Sequence, residues 1–139
     1  MPPKPWTVED SASLYSLKGW GLRYFGINSE GHLTLHPRRD ADKAIDIKHI
    51  VDDILARGVK LPVLLRFQDI LRHRVVQLNE TFKKAIDEAK YKGRYFGVYP
   101  IKVSQLREVV EEILDAGEPY RFGLEAGSKG ELMAVLAMN

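Results

Sequence analysis

Lys102 closes the apolar run Gly97-Val98-Tyr99-Pro100-Ile101-Lys102, just ahead of a stretch with helical periodicity. A lysine at the end of a buried strand loses part of its hydration, which disfavours the ammonium and leaves more free amine to attack a carbonyl. That is the requirement for Schiff-base formation. The plainer reading has the side chain laying its stem on apolar surface and its head in water. Glu125 ends a second apolar run, Arg121-Phe122-Gly123-Leu124-Glu125, and suits either a ligand site or a pair with a structural arginine. His32 and His36 fall on one face of a short β-prone run, but no third ligand is spaced to join them. They therefore read as structural histidines, and no metal ligand is expected. Arg38-Arg39 has the charge to hold a phosphate, yet in the link Pro37-Arg38-Arg39-Asp40-Ala41-Asp42-Lys43 it reads as a solvated loop.

The elements that must position Lys102 and Glu125 alternate along the second half of the chain. Leu61-Pro62-Val63-Leu64-Leu65-Arg66-Phe67 lacks period-two polarity, as expected of a strand covered on both faces. Asp69 can cap a helix with the stripe Leu71, Val75, Leu78, Phe82, Ala85, Ile86 and Ala89, ending near Gly93. A strand over 95–101 follows, then a helix capped by Ser104 with Leu106, Val109, Val110, Ile113 and Leu114 on one side and Gly117 at its end. The third strand, 121–125, leads to a helix in which Ser128 and Glu131 have the spacing of a capping box. Strand and helix in strict alternation imply parallel strands joined by crossovers. Ligands bind at the C-terminal ends of such strands, where Lys102 and Glu125 converge.

The first half differs. Residues 1–14, with three prolines, read as a flexible lead-in. Leu22-Arg23-Tyr24-Phe25-Gly26-Ile27 and His32-Leu33-Thr34-Leu35-His36 flank Asn28-Ser29-Glu30-Gly31, the pattern of a β-hairpin. Asp46 offers an N-cap to a helix whose inner face is Ile47, Ile50, Val51, Ile54 and Leu55, with Gly58 as its stop. The organisation is thus a lead-in (1–14), a hairpin segment (15–40), and a first helix with three βα units (41–139).

Composition narrows the function classes. The 21 lysines and arginines nearly balance 19 aspartates and glutamates, so no basic field points to nucleic acid or an anionic membrane. Cysteine is absent, which removes disulfides, thiolate metal sites and cysteine nucleophiles. No run has the length of a transmembrane helix, and the N-terminus lacks the apolar core of a signal peptide, so a cytoplasmic location is expected.

Three stretches together resemble the biosynthetic arginine decarboxylases, pyridoxal-phosphate enzymes of polyamine synthesis. They are the 61–67 run with Asp69-Ile70-Leu71, then Gly97-Val98-Tyr99-Pro100-Ile101-Lys102-Val103, and Gly123-Leu124-Glu125-Ala126-Gly127-Ser128-Lys129 with Glu131-Leu132-Met133-Ala134-Val135-Leu136. Trp20-Gly21, Tyr24-Phe25, Ile27-Asn28 and Gly31-His32-Leu33 are similar to the start of that family. Several ordered motifs make this more specific than one short pattern. The resemblance implies an α/β fold, the N-terminal portion of a pyridoxal-phosphate-binding (β/α)8 barrel, preceded by a β-hairpin segment of a separate β domain. It implies that Lys102 forms the Schiff base with pyridoxal 5′-phosphate and that Glu125 lies beside the cofactor. The implied reaction converts L-arginine to agmatine and carbon dioxide, in an enzyme that is a homo-oligomer when full length. Magnesium often accompanies the family, though no ligand set for it is visible. The phosphate loop, the acid facing the pyridinium nitrogen and the guanidinium-binding carboxylates lie, in that family, beyond the position of Asn139. The chain alone is therefore expected to be inactive. The alternative is a non-catalytic decarboxylase-like fragment that binds or regulates an intact subunit. Ser104 stands where the family usually has asparagine, and Gly130 where alanine is common.

Overall fold

A computed structural model describes residues 4–138. It is mixed α/β and divides into two compact units, Met1–Arg66 and Phe67–Asn139. Among the described residues no helix is long and apolar enough to cross a membrane.

In the first unit, helix α1 (Val8–Leu14) stands where the composition suggests a flexible lead-in, whose first three residues lie outside the described ones. Its start is a reciprocal cap: the Thr7 hydroxyl accepts from the Asp10 amide at 3.1 Å, and the Asp10 carboxylate accepts from the Thr7 amide at 2.9 Å. A short α2 (Leu17–Trp20) leads to the expected hairpin, β1 (Phe25–Ile27) antiparallel to β2 (Leu33–Leu35), with Phe25 opposite Leu35. β1 is shorter than its apolar run because Leu22 and Arg23 take φ values of 46° and 67°, outside the strand region. The turn is held by Asn28, whose side-chain oxygen accepts from the amides of Glu30 (3.0 Å) and His32 (2.9 Å), while Gly31 supplies φ 82°.

A third strand, β3 (Ile45–Asp46), pairs antiparallel with β2. Two residues carry no periodicity, so the sequence offers no sign of it. Asp46 also caps α3 (Ile47–Ala56), accepting from the amides of Lys48 and His49, as its position predicts. Gly58, at φ 82°, closes α3 with bonds from its own amide to Leu55 and from the Val59 amide to Ile54. Leu17, Tyr24 and Leu35 form the buried centre of this unit.

The 61–67 run is not a strand. Its residues carry no ladder among the described residues, and Leu64 is 72% exposed. β propensity expresses packing and pairing with a neighbour, and without one an apolar run has no reason to become a strand.

The second unit opens with α4 (Gln68–Glu88), capped by Phe67 instead of Asp69. Asp69 lies in the first turn, where its charge still complements the helix dipole. The helix ends before Gly93, because Lys90 at φ 51° takes the left-handed position and the Tyr91 amide reaches back to the Ile86 carbonyl. β4 (Val98–Pro100) and β5 (Gly123–Glu125) are parallel, and α5 (Arg107–Gly117) lies between them in sequence. α6 (Lys129–Ala137) begins at the Ser128 cap, whose hydroxyl accepts from the Glu131 amide. Glu131 returns its carboxylate to Gly127 N at 2.7 Å, one residue before the reciprocal position. Val75 of α4 and Ile113 and Ala116 of α5 form the core, with Leu71, Tyr99, Val109 and Phe122 against it.

Candidate active site

Lys102 does not sit on the strand. β4 stops at Pro100, and residues Ile101–Val103 form a single 3-10 turn that carries the lysine past the strand end. The turn is fixed from both sides. Ile101 is 1% exposed and anchors it in the apolar interior. The Tyr99 hydroxyl donates to the Ser104 carbonyl at 3.3 Å, spanning the three turn residues. That bond also explains why α5 begins at Arg107, capped by Leu106, and not after Ser104 as its spacing suggests. Ser104 is extended, at φ −155° and ψ 118°, and its carbonyl is committed to Tyr99.

Glu125 is the last residue of β5 and stands opposite Pro100 in the parallel register. Lys102 and Glu125 therefore leave the sheet from the C-terminal ends of adjacent strands, as their places in the sequence suggest. Neither side chain makes a hydrogen bond or ion pair among the described residues. Among the described residues no arginine pairs with Glu125, so the structural alternative is not realised there. Lys102 is exposed, and its neighbours Val98 and Val103 are 56% and 69% exposed. Burial of the lysine, from which the sequence argument for an activated amine starts, is thus not provided by these residues.

An open cleft of about 300 Å³ lies elsewhere, lined by Lys83, Arg94, Tyr95, Tyr120 and Arg121 among others. Its lining residues precede β4 and β5, so it belongs to the N-terminal ends of the strands, away from Lys102.

The two histidines of the hairpin separate. His36 is held structurally, with Nε2 3.1 Å from the Thr34 hydroxyl and Nδ1 3.2 Å from the Asp40 carbonyl. His32 instead meets Asp46 and His49, residues the spacing analysis does not connect with it. No sequence signal could have found them, because the three come together only through β2–β3 pairing. Of the Arg38-Arg39 pair, Arg39 is not a solvated loop residue. Its guanidinium lies 4.5 Å from the centre of the Tyr24 ring.

The fold and this site define a chain in which a parallel βα segment presents a lysine and a glutamate at one end of its strands. Over 132 residues the chain is 52% identical to the biosynthetic arginine decarboxylase of Gloeobacter violaceus, covering 95% of this chain and 20% of that protein. It is 49% identical over 136 residues to the biosynthetic arginine decarboxylase of Phocaeicola vulgatus, covering 98% of this chain and 21% of that one. The crystal structure of the biosynthetic arginine decarboxylase of Campylobacter jejuni superposes with a TM-score of 0.78 at 35% identity, over 90% of this chain and 21% of that one. No protein-family model matches. The chain is a homologue of the biosynthetic arginine decarboxylases, and it spans about a fifth of the length of the curated relatives it matches.

Proposed function

We propose that this chain contributes the cofactor-bearing lysine of a pyridoxal-phosphate-dependent arginine decarboxylase, which converts L-arginine to agmatine and carbon dioxide in polyamine biosynthesis. The observation that carries the reading is the placement of Lys102 and Glu125. Neither side chain has a partner among the described residues, both leave the C-terminal ends of adjacent parallel strands, and they do so in a chain about half identical to proteins named for this activity.

The residues present fit the cofactor. An aldehyde needs an amine that is reachable and not committed to a carboxylate, and Lys102 is exposed and has no ion pair among the described residues. When bound, pyridoxal phosphate supplies the electron sink that lets the α-carboxylate leave as carbon dioxide. The chain's own part is to hold and orient. The Ile101 anchor and the Tyr99–Ser104 bond limit where Lys102 Nζ can reach. Glu125 places a carboxylate on the neighbouring strand, where it can orient a ring or a cationic substrate group. Exclusion of water from Lys102 falls to segments that the relatives have and this fifth of their length does not include.

In this reading residues 41–139 belong to a (β/α)8 barrel and 15–40 to a β domain, and the working enzyme is cytoplasmic and homo-oligomeric. The test uses the protein expressed from its complete coding sequence and supplied with pyridoxal phosphate. Borohydride reduction should fix the cofactor on the peptide containing Lys102, and arginine should yield agmatine. Reduction on another lysine, or no agmatine from a cofactor-loaded protein, would overturn it.

A further inference from the structure

The first unit holds a cluster that the decarboxylase reading does not use. Glu30 from the hairpin turn, His32 at the entry to β2, Asp46 at the end of β3 and His49 in the first turn of α3 each offer a ligand atom. All four atoms lie within 4.8 Å of one another. His32 Nδ1 is 2.8 Å from Asp46 Oδ2 and 3.5 Å from Glu30 Oε2, and the His32 and His49 rings meet edge to face at 6.0 Å between centres.

We propose that these four side chains form a divalent transition-metal site of the zinc class, which fastens the Asn28–Gly31 turn to the start of α3. Two imidazole nitrogens and two carboxylate oxygens suit zinc, cobalt or nickel, whereas magnesium and calcium take oxygen-only sets. Tetrahedral zinc with bonds of about 2.0–2.2 Å places its ligand atoms roughly 3.3–3.6 Å apart, so closure from separations within 4.8 Å needs a contraction of up to about 1.5 Å at the widest pair. Glu30 and His49 are the exposed members and are free to make it.

The supporting contacts are those a metal site needs around its ligands. Asp46 is oriented by Asn28 Nδ2, which donates to Oδ2 at 2.9 Å, and by the amides of Lys48 and His49, which donate to Oδ1. His32 is aimed by its own amide, bonded to the Asn28 side chain. A hydrogen-bonded pair alone accounts for His32 and Asp46. It does not account for Glu30 and His49, whose ligand atoms close the same space from two other elements. On binding, the metal takes the place of the hydrogen bond between His32 Nδ1 and Asp46 Oδ2, and the neutral imidazole carries its proton on Nε2 instead.

The test uses the protein from its complete coding sequence, purified without a metal-affinity tag and stripped with a chelator. Calorimetric titration with zinc chloride should show one ion bound per chain, and cobalt chloride should give visible ligand-field bands of four-coordinate intensity. His49→Gln and Glu30→Gln, both exposed, should each weaken zinc at least about tenfold. His36→Gln should leave the affinity unchanged, because His36 bonds to Thr34 and Asp40 instead. An absence of zinc binding, or equal affinity in wild type, His49→Gln and Glu30→Gln, would overturn the site. So would displacement of zinc by equimolar magnesium.

Discussion

Pro100 and Glu125 face each other across the parallel register of β4 and β5, so Lys102, two residues past Pro100, leaves the sheet beside Glu125. A one-residue slip would turn Glu125 toward the opposite face of the sheet. The registry is supported from the other end of the strands, where the Gly123 amide donates to the Gly97 carbonyl at 2.9 Å.

Replacing Lys102 tests the amine directly. In the full-length protein, Lys102→Ala should lower kcat by about three orders of magnitude or more. Lys102→Arg should not restore it, since a guanidinium stays protonated and cannot attack an aldehyde. Because Lys102 is exposed and its side chain has no partner among the described residues, both variants should melt within a few degrees of wild type. The measurements are agmatine release, cofactor absorbance and thermal unfolding.

Glu125→Gln separates binding from folding. With no partner to lose among the described residues, the change should cost less than about 1 kcal/mol of stability. It should nevertheless weaken retention of pyridoxal phosphate or raise the KM for arginine, measured by dialysis of the loaded protein and by initial rates. A large loss of stability with unaltered kinetics would assign Glu125 to the fold instead.

Two glycines of the second unit should respond in opposite directions to alanine. A Cβ on Gly97 would lie 2.1 Å from Phe122 Cε2, so Gly97→Ala must push the ring out of the core and should destabilise by about 1–3 kcal/mol. Phe122→Leu in the same chain should recover part of that. A Cβ on Gly130, in the first turn of α6, meets nothing within 4 Å, and Gly130→Ala should stabilise by about 0.5 kcal/mol. Chemical denaturation of the three variants decides it.

The Tyr120 phenol gives the stability a dependence on alkaline pH. Its hydroxyl donates to Glu80 at 2.8 Å, and that bond, then burial, then the Glu80 charge raise its pKa above the ordinary 10.0. A raised folded value means that the contribution is fully present below pH 10.0 and is lost as pH rises through the folded value. Ultraviolet titration should show this tyrosinate forming later than in Glu80→Gln, and the stability difference between the two proteins should vanish in strong alkali.

Much of the local structure was legible because its causes are local. Asp46, Gly58 and Ser128 cap or stop their helices as their side chains and backbone freedom dictate, and the Asn28–Gly31 turn closes the hairpin. Apolar periodicity located part of the inner faces of α4 and α5, with Val75, Val110 and Ile113 buried, whereas Leu78 and Phe82 of the same α4 stripe are 43% and 42% exposed. Where a competing local device was present, the boundary moved: Lys90 ends α4 early, and the Tyr99–Ser104 bond delays α5.

The sequence by itself determined the hairpin, the alternation of helix with apolar run, and the placing at run ends of a lysine able to form a Schiff base and of a glutamate, because each depends on neighbours a few positions away. Only the tertiary structure decided which apolar runs become strands. The 97–101 and 121–125 runs yield β4 and β5 because they have each other, whereas the 61–67 run, equally apolar, stays irregular without a ladder. Tertiary structure alone also exposed Lys102 and gathered Glu30, His32, Asp46 and His49, since pairing and burial depend on residues that sequence distance does not measure.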